Sequence, residues 1–509
     1  MSSNIRNGVF ILFGIAIVAY GASFAWLHRS QTSGSVSTRD GTQGVVLTEP
    51  DVAHGILAQT GQRFALEVRG LSIVVGTNSS DEIWRAIESK ASNFETYRSQ
   101  DPKDHAKSSD ERMTRLGVAE TVAFETGVKR AVERWPIPVF IWGPLKAAHS
   151  GRAAVDISDA RQEAGLGATL FLWQEDSNTD DPIVMIEKLF EFFDTHPDVP
   201  QAILFSEDGS MLRSLLQTPG EKPLPRWEYV PAIPDSYEVM VVSRSDRVDK
   251  LIRPFAVDGV SGDASDDGKL WDYYWEKNDG QGPDGFAAYY RSHTKNEGVG
   301  PTWVPGTMQA SWWQQQLPAF WKGISNKGPG QFTPTPYLPI RWTEGQLKQF
   351  DNAPLIGYLH RPVDVKLSND QGQPLKTSEQ AEALKAGWTQ ALRTLPEGVV
   401  PKRVFYDTSG DRQWAIPLTQ ALAGAGKTAP DLGDVHEGYD IGRRIADTGV
   451  SSAMVQMGLG LIAGYTDGAT SATVSRRPDG RATIIMVSPP SPERKAEWEK
   501  ANGNANPFD

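Results

Sequence analysis

The sequence predicts an α/β protein with two similar β-α-β halves, an aromatic-rich insert between them and a single apolar helix at the amino terminus. Three observations predict this class. Short apolar runs alternate with helical segments from residue 55 onward, the alternation returns in the carboxyl half, and the stretch between the halves lacks it. The 509 residues divide into an apolar segment (1–29), a tether (30–54), the first half (55–262), the insert (263–340), the second half (341–490) and a polar tail (491–509).

The amino-terminal segment contains an uncharged apolar run, residues 9–26, which as a helix would reach about 27 Å. This length is just short of the hydrocarbon core of a bilayer, so one membrane crossing is feasible. Residues 23–25 resemble a signal-peptidase site, which leaves a cleaved secretory signal as the alternative to an anchor. Arg6 lies on one side of the run and Arg29 and Arg39 on the other, so the basic residues leave its orientation undecided.

The first half contains apolar runs of strand length and a helical segment between two of them. The runs are residues 71–76, 138–143, 169–173 and 202–205, followed by a strand-rich segment at 237–245. Residues 183–193 carry apolar side chains at helical spacing. This order predicts a β-α-β unit.

The second half repeats this order. Residues 355–360 and 403–406 read as strands, a helical segment lies between them up to Leu395, and a hairpin is predicted at 469–488. Residues 199–209 align with 400–410 without a gap, which favours a duplicated unit. The alternative is that any two α/β units share a strand, an acidic turn and a helix.

The insert is dense in aromatic residues and contains six of the 16 tryptophans. Such a stretch is too aromatic for a solvated linker, so the rings either fold onto the body or contact a partner. Tryptophan is frequent among the residues that dominate binding energy at interfaces. The candidate partner-binding residues are Trp271, Trp275, Trp303, Trp312, Trp313 and Trp321.

Composition excludes several classes of protein. A net charge of −12 disfavours nucleic-acid binding, because a negative chain releases no counterions from a phosphate backbone. The absence of cysteine excludes disulfides, iron–sulfur clusters and thiol nucleophiles. The eight histidines show no metal-binding spacing, and no G-x-S-x-G motif occurs, so we expect neither a metal site nor a serine hydrolase of the usual α/β type.

Two motifs look like nucleotide-binding loops but have the wrong context. Residues 423–428 end in Gly-Lys-Thr, yet the first glycine of a phosphate loop would fall at Ala421, and the segment closes a helical run. Residues 458–463 match the letters of a dinucleotide-binding fingerprint, yet the apolar residues before them belong to the same helix. We expect no cofactor, a helix end at the first motif and close packing of a helix on the sheet at the second.

Acidic residues follow the matching strands in both halves. Glu207, Asp208 and Asp407 stand at strand ends, where open α/β sheets form ligand crevices. An envelope enzyme or a small-molecule binder with a crevice there is the alternative function. Strand-to-helix turns whose carboxylates cap the next helix explain the same residues without a function.

Four features together resemble the type VI lipase adaptor family. They are the apolar amino-terminal segment, the repeated α/β halves, the Trp-rich insert with Ser311-Trp312-Trp313, and residues 438–449 (GYDIGRRIADTG). The resemblance covers most of the chain after the tether. It implies a non-enzymatic protein that holds an antibacterial phospholipase effector and loads it onto the VgrG spike of a type VI secretion system.

The carboxyl half also resembles thiolase and ketosynthase folds, in which two equivalent β-α-β-α-β halves pack together. Those enzymes attack acyl groups with a cysteine that this sequence lacks, so their chemistry does not carry over.

The adaptor resemblance implies work on the cytoplasmic side, with inner-membrane association through residues 9–26. An amino-terminal apolar segment ordinarily sends the following chain across the membrane. A periplasmic location is therefore the alternative, and it would make the adaptor interpretation wrong.

Overall fold

The computed structural model describes residues 64–90, 94–132, 135–145, 156–157, 160–161, 164–166, 168–259, 265–279 and 307–508. The apolar segment, the tether and Trp303 lie outside the described residues, so the expected amino-terminal helix is not observed. No helix within the described ranges is long and apolar enough to cross a membrane.

The described residues of the first half include the following strands and helices. The strands are β1 (Ala65–Val75), β2 (Asn78–Ser79), β3 (Pro136–Gly143), β4 (Leu170–Asn178), β5 (Gln201–Asp208) and β6 (Ser236–Ser243). The helices are α1 (Ser80–Ser89), α2 (Ser109–Val128), α3 (Val184–Thr195), α4 (Ser210–Leu216) and α5 (Ser245–Leu251).

The insert and the second half continue the numbering. The insert contains α6 (Asp266–Asp279), β7 (Thr307–Gln309) and α7 (Ala310–Phe320). The second-half strands are β8 (Gly357–His360), β9 (Val363–Lys366), β10 (Arg403–Tyr406), β11 (Gly438–Asp440), β12 (Ser471–Arg476) and β13 (Arg481–Ser488). The remaining helices are α8 (Glu344–Asn352), α9 (Thr377–Leu392), α10 (Ala415–Ala425), α11 (Ile441–Arg444), α12 (Ser452–Asp467) and α13 (Pro492–Ala501).

The strands form one sheet in which the two halves follow the same order. The main path is β11-β10-β12-β13-β8-β1-β6-β5-β3-β4-β7, with β1 and β8 as the central antiparallel pair. Outward from β1, the neighbours β6 and β5 pair antiparallel, and β3 and β4 then join in parallel. Outward from β8, the neighbours β13, β12, β10 and β11 repeat these directions. The α/β class and the similarity of the two halves are therefore confirmed.

The sequence match between the halves does not align equivalent strands. Residues 199–209 contain β5, which is third from the centre on its side, whereas residues 400–410 contain β10, which is fourth. The positional counterpart of β10 is β3. A strand followed by an acidic segment is a common local pattern, which explains why the match falls one strand out of place.

Helices cover both faces of the sheet. One core cluster contains residues of both halves together with α12, and two further clusters lie on the opposite face of each half. Along β6 the side chains alternate: Met240 and Val242 face the shared cluster, whereas Val239 and Val241 face the first-half cluster. The alternation fixes which strand-end side chains meet the second half.

As expected, both segments that resemble nucleotide-binding loops belong to a helix or to a helix end. Residues 458–463 lie inside α12, and an added Cβ at Gly460 would come within 2.8 Å of Val487 on β13. Gly426 ends α10 with a φ of 62°, a conformation that glycine adopts without strain. The close approach of helix and sheet accounts for the small residues at 458–463.

Candidate functional site

Three buried carboxyl side chains lie at the end of β5 and on the adjacent strand. Glu207, Asp208 and Glu238 are each at most 1% exposed. The expected turn at residues 206–209 is wrong, because β5 continues through Asp208 and pairs with β6 up to that residue. Together with Ser206, these residues are called the strand-end cluster below. Charged groups this deeply buried require partners.

Asp208 is saturated with internal partners. Its carboxylate accepts hydrogen bonds from Arg213 Nε at 2.7 Å and from Arg213 Nη2 at 2.9 Å. It also accepts from the backbone N–H of Gly209 at 2.7 Å and of Val450 at 2.8 Å. The hydrogen bonds and charge of Asp208 hold the pKa of Arg213 above its ordinary value, although burial acts in the opposite direction. Asp208 therefore anchors α4 and a segment of the second half to the end of β5.

Glu238 lies opposite Ser206 in the register of β5 and β6. The Ser206 hydroxyl donates to Glu238 Oε2 at 2.5 Å. Complete burial raises the pKa of Glu238 well above its ordinary value, and the nearby charge of Asp208 raises it further. The side chain belongs to the packed interior.

A loop of the second half closes over this cluster. Residues 447–452 include the 3-10 turn Gly449–Ser451, and Trp142 Nε1 donates to the carbonyl of Val450 at 3.2 Å. Gly449 has a φ of 57°, and an added Cβ there would collide with the carboxylate of Asp208. The Gly449 N–H donates to Asp447 Oδ1 at 2.8 Å, while burial raises the pKa of Asp447. We call residues 447–452 the bridging loop.

The bridging loop also reaches Asp407. The hydroxyl of Ser452 donates to Asp407 Oδ2 at 2.5 Å, and the backbone N–H of Ser409 donates to Asp407 Oδ1 at 2.8 Å. Asp407 does not cap the next helix, because Asp411 caps the following 3-10 turn by accepting from Gln413 N. The structure therefore joins the two predicted strand ends through one loop, which covers Asp208 and contacts Asp407.

Glu207 is directed away from the bridging loop. It shares a face of β5 with Ile203 and Phe205, which belong to the first-half cluster, whereas Ser206 and Asp208 occupy the face of the shared cluster. An added Cβ on Gly143 would lie 3.1 Å from Glu207 Cγ. Of the two acidic residues, Asp208 makes the contact between the halves.

The described part of the chain contains no group of three or more histidine, aspartate or glutamate side chains that could hold a metal ion. In the strand-end cluster, Asp208 instead accepts from Arg213 and from the backbone N–H groups of Gly209 and Val450, and Glu238 accepts from the Ser206 hydroxyl. Such an arrangement stabilises the contact between the halves.

The tryptophans of the insert pack onto the body of the protein to different degrees. Trp313 is fully buried, and its Nε1 donates to the carbonyl of Pro336 at 3.1 Å. Trp271, Trp275, Trp312 and Trp321 are half-buried against the shared cluster. Trp313 therefore follows the core alternative, and partner binding through the four half-buried rings stays a prediction.

Trp227, which was not among the expected partner-binding residues, is 68% exposed in the segment between α4 and β6. Arg112 of α2 holds this segment by donating to the carbonyls of Pro225 at 2.8 Å and Trp227 at 2.7 Å. A tryptophan within a proline-rich connection, residues 223–234, is the signal that could have identified it.

Comparison with solved structures finds ketosynthases at low identity. The ketosynthase from module 6 of the bacillaene synthase of Bacillus subtilis 168 is 8% identical, with a TM-score of 0.41, over 84% of this chain and 71% of that chain. The ketosynthase from module 1 of the bacillaene synthase of Bacillus amyloliquefaciens FZB42 is 9% identical, with a TM-score of 0.41, over 84% of this chain and 73% of that chain. Similarity this weak carries no conclusion about activity.

Comparison with protein families gives two matches to one family. The model for the N-terminal part of the type VI lipase adapter protein Tla3 matches residues 64–226, and the model for its C-terminal part matches residues 356–489. The matches fall in the first and second halves and together cover more than half of the sequence. This chain belongs to the type VI lipase adapter family.

Proposed function

We propose that this chain is a non-enzymatic adaptor that binds a phospholipase effector and helps to load it onto the VgrG spike of a type VI secretion system. The observation that carries the proposal is the match of both halves to the lipase adapter family, over residues 64–226 and 356–489. Because the match includes β5, β10 and the bridging loop, the family relationship extends to the contact between the halves.

The state of the strand-end carboxylates supports a binding role over catalysis. Asp208 is neutralised by Arg213 and enclosed by the bridging loop, and Glu238 is completely buried. A general acid or base has to reach a substrate within hydrogen-bond distance. The alternative function, an enzyme or binder with a crevice near Asp407 and Glu207, would require the bridging loop to leave this position.

The outer side of α6 and α7 is the surface we propose for the effector. Trp312 and Trp321 are half-buried there, and Trp312 Nε1 is a buried donor with no hydrogen-bond partner among the described residues. Large rings that are partly covered by their own protein lose little side-chain entropy when a partner covers the rest. The exposed neighbours Gln314 and Gln315 supply a polar rim.

A co-purification experiment tests this function. The full chain, tagged at its carboxyl terminus, is co-expressed with each phospholipase effector of the same genome, and the captured effector is quantified. We expect a stable complex that Trp312→Ala weakens while the melting temperature changes little. Trp227→Ala is the matched control. A loss of capture with Trp227→Ala alone would move the contact away from α6 and α7, and no capture of any effector would contradict the function.

The proposed location is the cytoplasmic side of the inner membrane, with residues 9–26 as the anchor, because a spike is loaded before secretion. Fractionation of cells, combined with a reporter fused to the carboxyl terminus, tests this location. A reporter active only in the periplasm would favour the periplasmic alternative and contradict the loading role.

A further inference from the structure

A cavity of about 260 Å³ lies beside the carboxyl end of β5. Its wall comes from the turn after β1, the segment 97–106, the first turns of α2, the start of α4 and the segment that enters β6. We call it the arginine cavity, because Arg98, Arg112 and Arg115 line it. The volume is far larger than a single water molecule requires, so a small organic molecule fits.

The positive charge of the arginine cavity is incompletely neutralised. Arg115 forms an ion pair with Glu111 at 2.6 Å. Among the described residues, Arg112 donates to backbone carbonyls, those of Ala106, Pro225 and Trp227. The guanidinium of Arg98 makes no hydrogen bond or ion pair within the described ranges of the chain. Asp104 and Asp235 also line the cavity, but neither is hydrogen-bonded to Arg98 or Arg112 among the described residues. A guanidinium without a directly bonded carboxylate can pair with an anion from solution.

Tyr97 adds a second polar group with an unfilled hydrogen bond. The residue lines the arginine cavity, and its hydroxyl is buried without a hydrogen-bond partner among the residues that the structure describes. Burial raises the pKa of this phenol, so the hydroxyl keeps its proton and remains a donor. Buried polar groups without partners are rare in proteins and call for a bound water or ligand.

We infer that the arginine cavity binds a small organic molecule through an oxyanion, a phosphate or a carboxylate, that pairs with Arg98 near the hydroxyl of Tyr97. Guanidinium groups recognise both oxyanions through parallel N–H···O bonds. The site goes beyond the adaptor function, because neither effector capture nor spike loading requires such a ligand.

The carboxylate of Asp235 would repel an anion bound in this cavity. Removing its charge should therefore change anion binding in the opposite direction to removing the charge of Arg98. The Asp235 carboxylate lines the cavity, accepts from Met211 N at 3.2 Å and interacts favourably with the charges of Arg98 and Arg112. An incoming anion would compete with Asp235 for these charges. An asparagine there keeps an acceptor oxygen for Met211 and removes the competing charge.

Isothermal titration and thermal shift of the full chain test the site with glycerol 3-phosphate, inorganic phosphate and succinate, against uncharged glycerol. We expect saturable binding of at least one anion and none of glycerol. Arg98→Gln should weaken binding about tenfold or more, the loss expected for one charge-assisted donor, and Asp235→Asn should strengthen it. Arg85→Gln is the matched control, since its guanidinium is 70% exposed on α1 and does not line the cavity.

Co-sedimentation with vesicles of phosphatidic acid, compared with phosphatidylcholine vesicles, separates a lipid headgroup from a soluble ester as the source of the phosphate. Anion binding that Arg98→Gln lowers and Arg85→Gln leaves unchanged supports the site from either source. Absence of binding in every arm overturns it. Binding that Arg98→Gln leaves unchanged also overturns it, because the anion would then lie elsewhere.

Discussion

Asp235→Asn should make the protein more stable at neutral pH. Burial, together with the negative charge of Asp208, raises the pKa of Asp235 from 3.8 to about 6. The folded protein therefore holds this proton more tightly than the unfolded chain does. The contribution of protonated Asp235 to the free energy of unfolding is fully present below pH 4, declines as the pH rises toward 6 and is lost above that value.

The magnitude follows from the size of the shift. About two pKa units at 1.36 kcal/mol each give a cost of about 3 kcal/mol for ionised Asp235 at pH 7.5. Asparagine does not ionise, so the variant avoids this cost while keeping an acceptor for the Met211 N–H. Near pH 4 the wild-type carboxyl is protonated when folded, and the two proteins should have nearly equal stability.

Urea unfolding followed by circular dichroism at pH 4, 5, 6 and 7.5 measures the difference between the two proteins. We expect Asp235→Asn to gain up to about 3 kcal/mol at pH 7.5 relative to pH 4. Subtracting the free energy of unfolding of wild type from that of Asp235→Asn at each pH cancels the contributions of other titrating groups. A difference that does not change with pH, or a variant that is less stable at pH 7.5, would refute the argument that burial dominates at Asp235.

Three further changes test the packing of the halves and of the insert. Gly449→Ala should cost more than 2 kcal/mol in urea unfolding, because its Cβ would collide with Asp208, whereas Gly468→Ala, with a φ of 76° and open space around it, should cost about 1 kcal/mol. Asp208→Asn should cost about 3 kcal/mol by the same measurement, because it removes the fully buried charge partner of Arg213 and leaves that arginine only the more exposed Glu221; equal stability would contradict the role of the Asp208–Arg213 ion pair. Trp313→Ala should cost about 3–5 kcal/mol, and a melting temperature like that of wild type would show that the ring is not core.

Most strands could be predicted from the sequence because strands that are buried on both faces read as continuous apolar runs. Residues 138–143 and 202–205 lie inside β3 and β5, and β10 has the predicted bounds. The predictions failed where a strand carries charged side chains. β1 begins at Ala65, ahead of the apolar run, because residues 65–68 pair with β8, and the charged side chains of Glu67 and Arg69 in this part of the strand pair with each other.

The contact between the halves could not be predicted from the sequence. Asp208 and Val450 are 242 positions apart, and no local pattern relates them. Glu207, Asp208 and Asp407 were all expected at strand ends, but only the alternation of side chains along β5 shows that Asp208 rather than Glu207 meets the bridging loop. The arginine cavity was also missed, since segments from distant parts of the chain form its wall.

The central claim is that this chain works by holding a phospholipase effector. The most direct test mixes the purified full chain with the purified effector and measures the dissociation constant and the mass of the complex. We predict a discrete complex that forms without any added substrate. Failure to bind the effector, together with turnover of a substrate that Glu207→Gln abolishes, would contradict the claim.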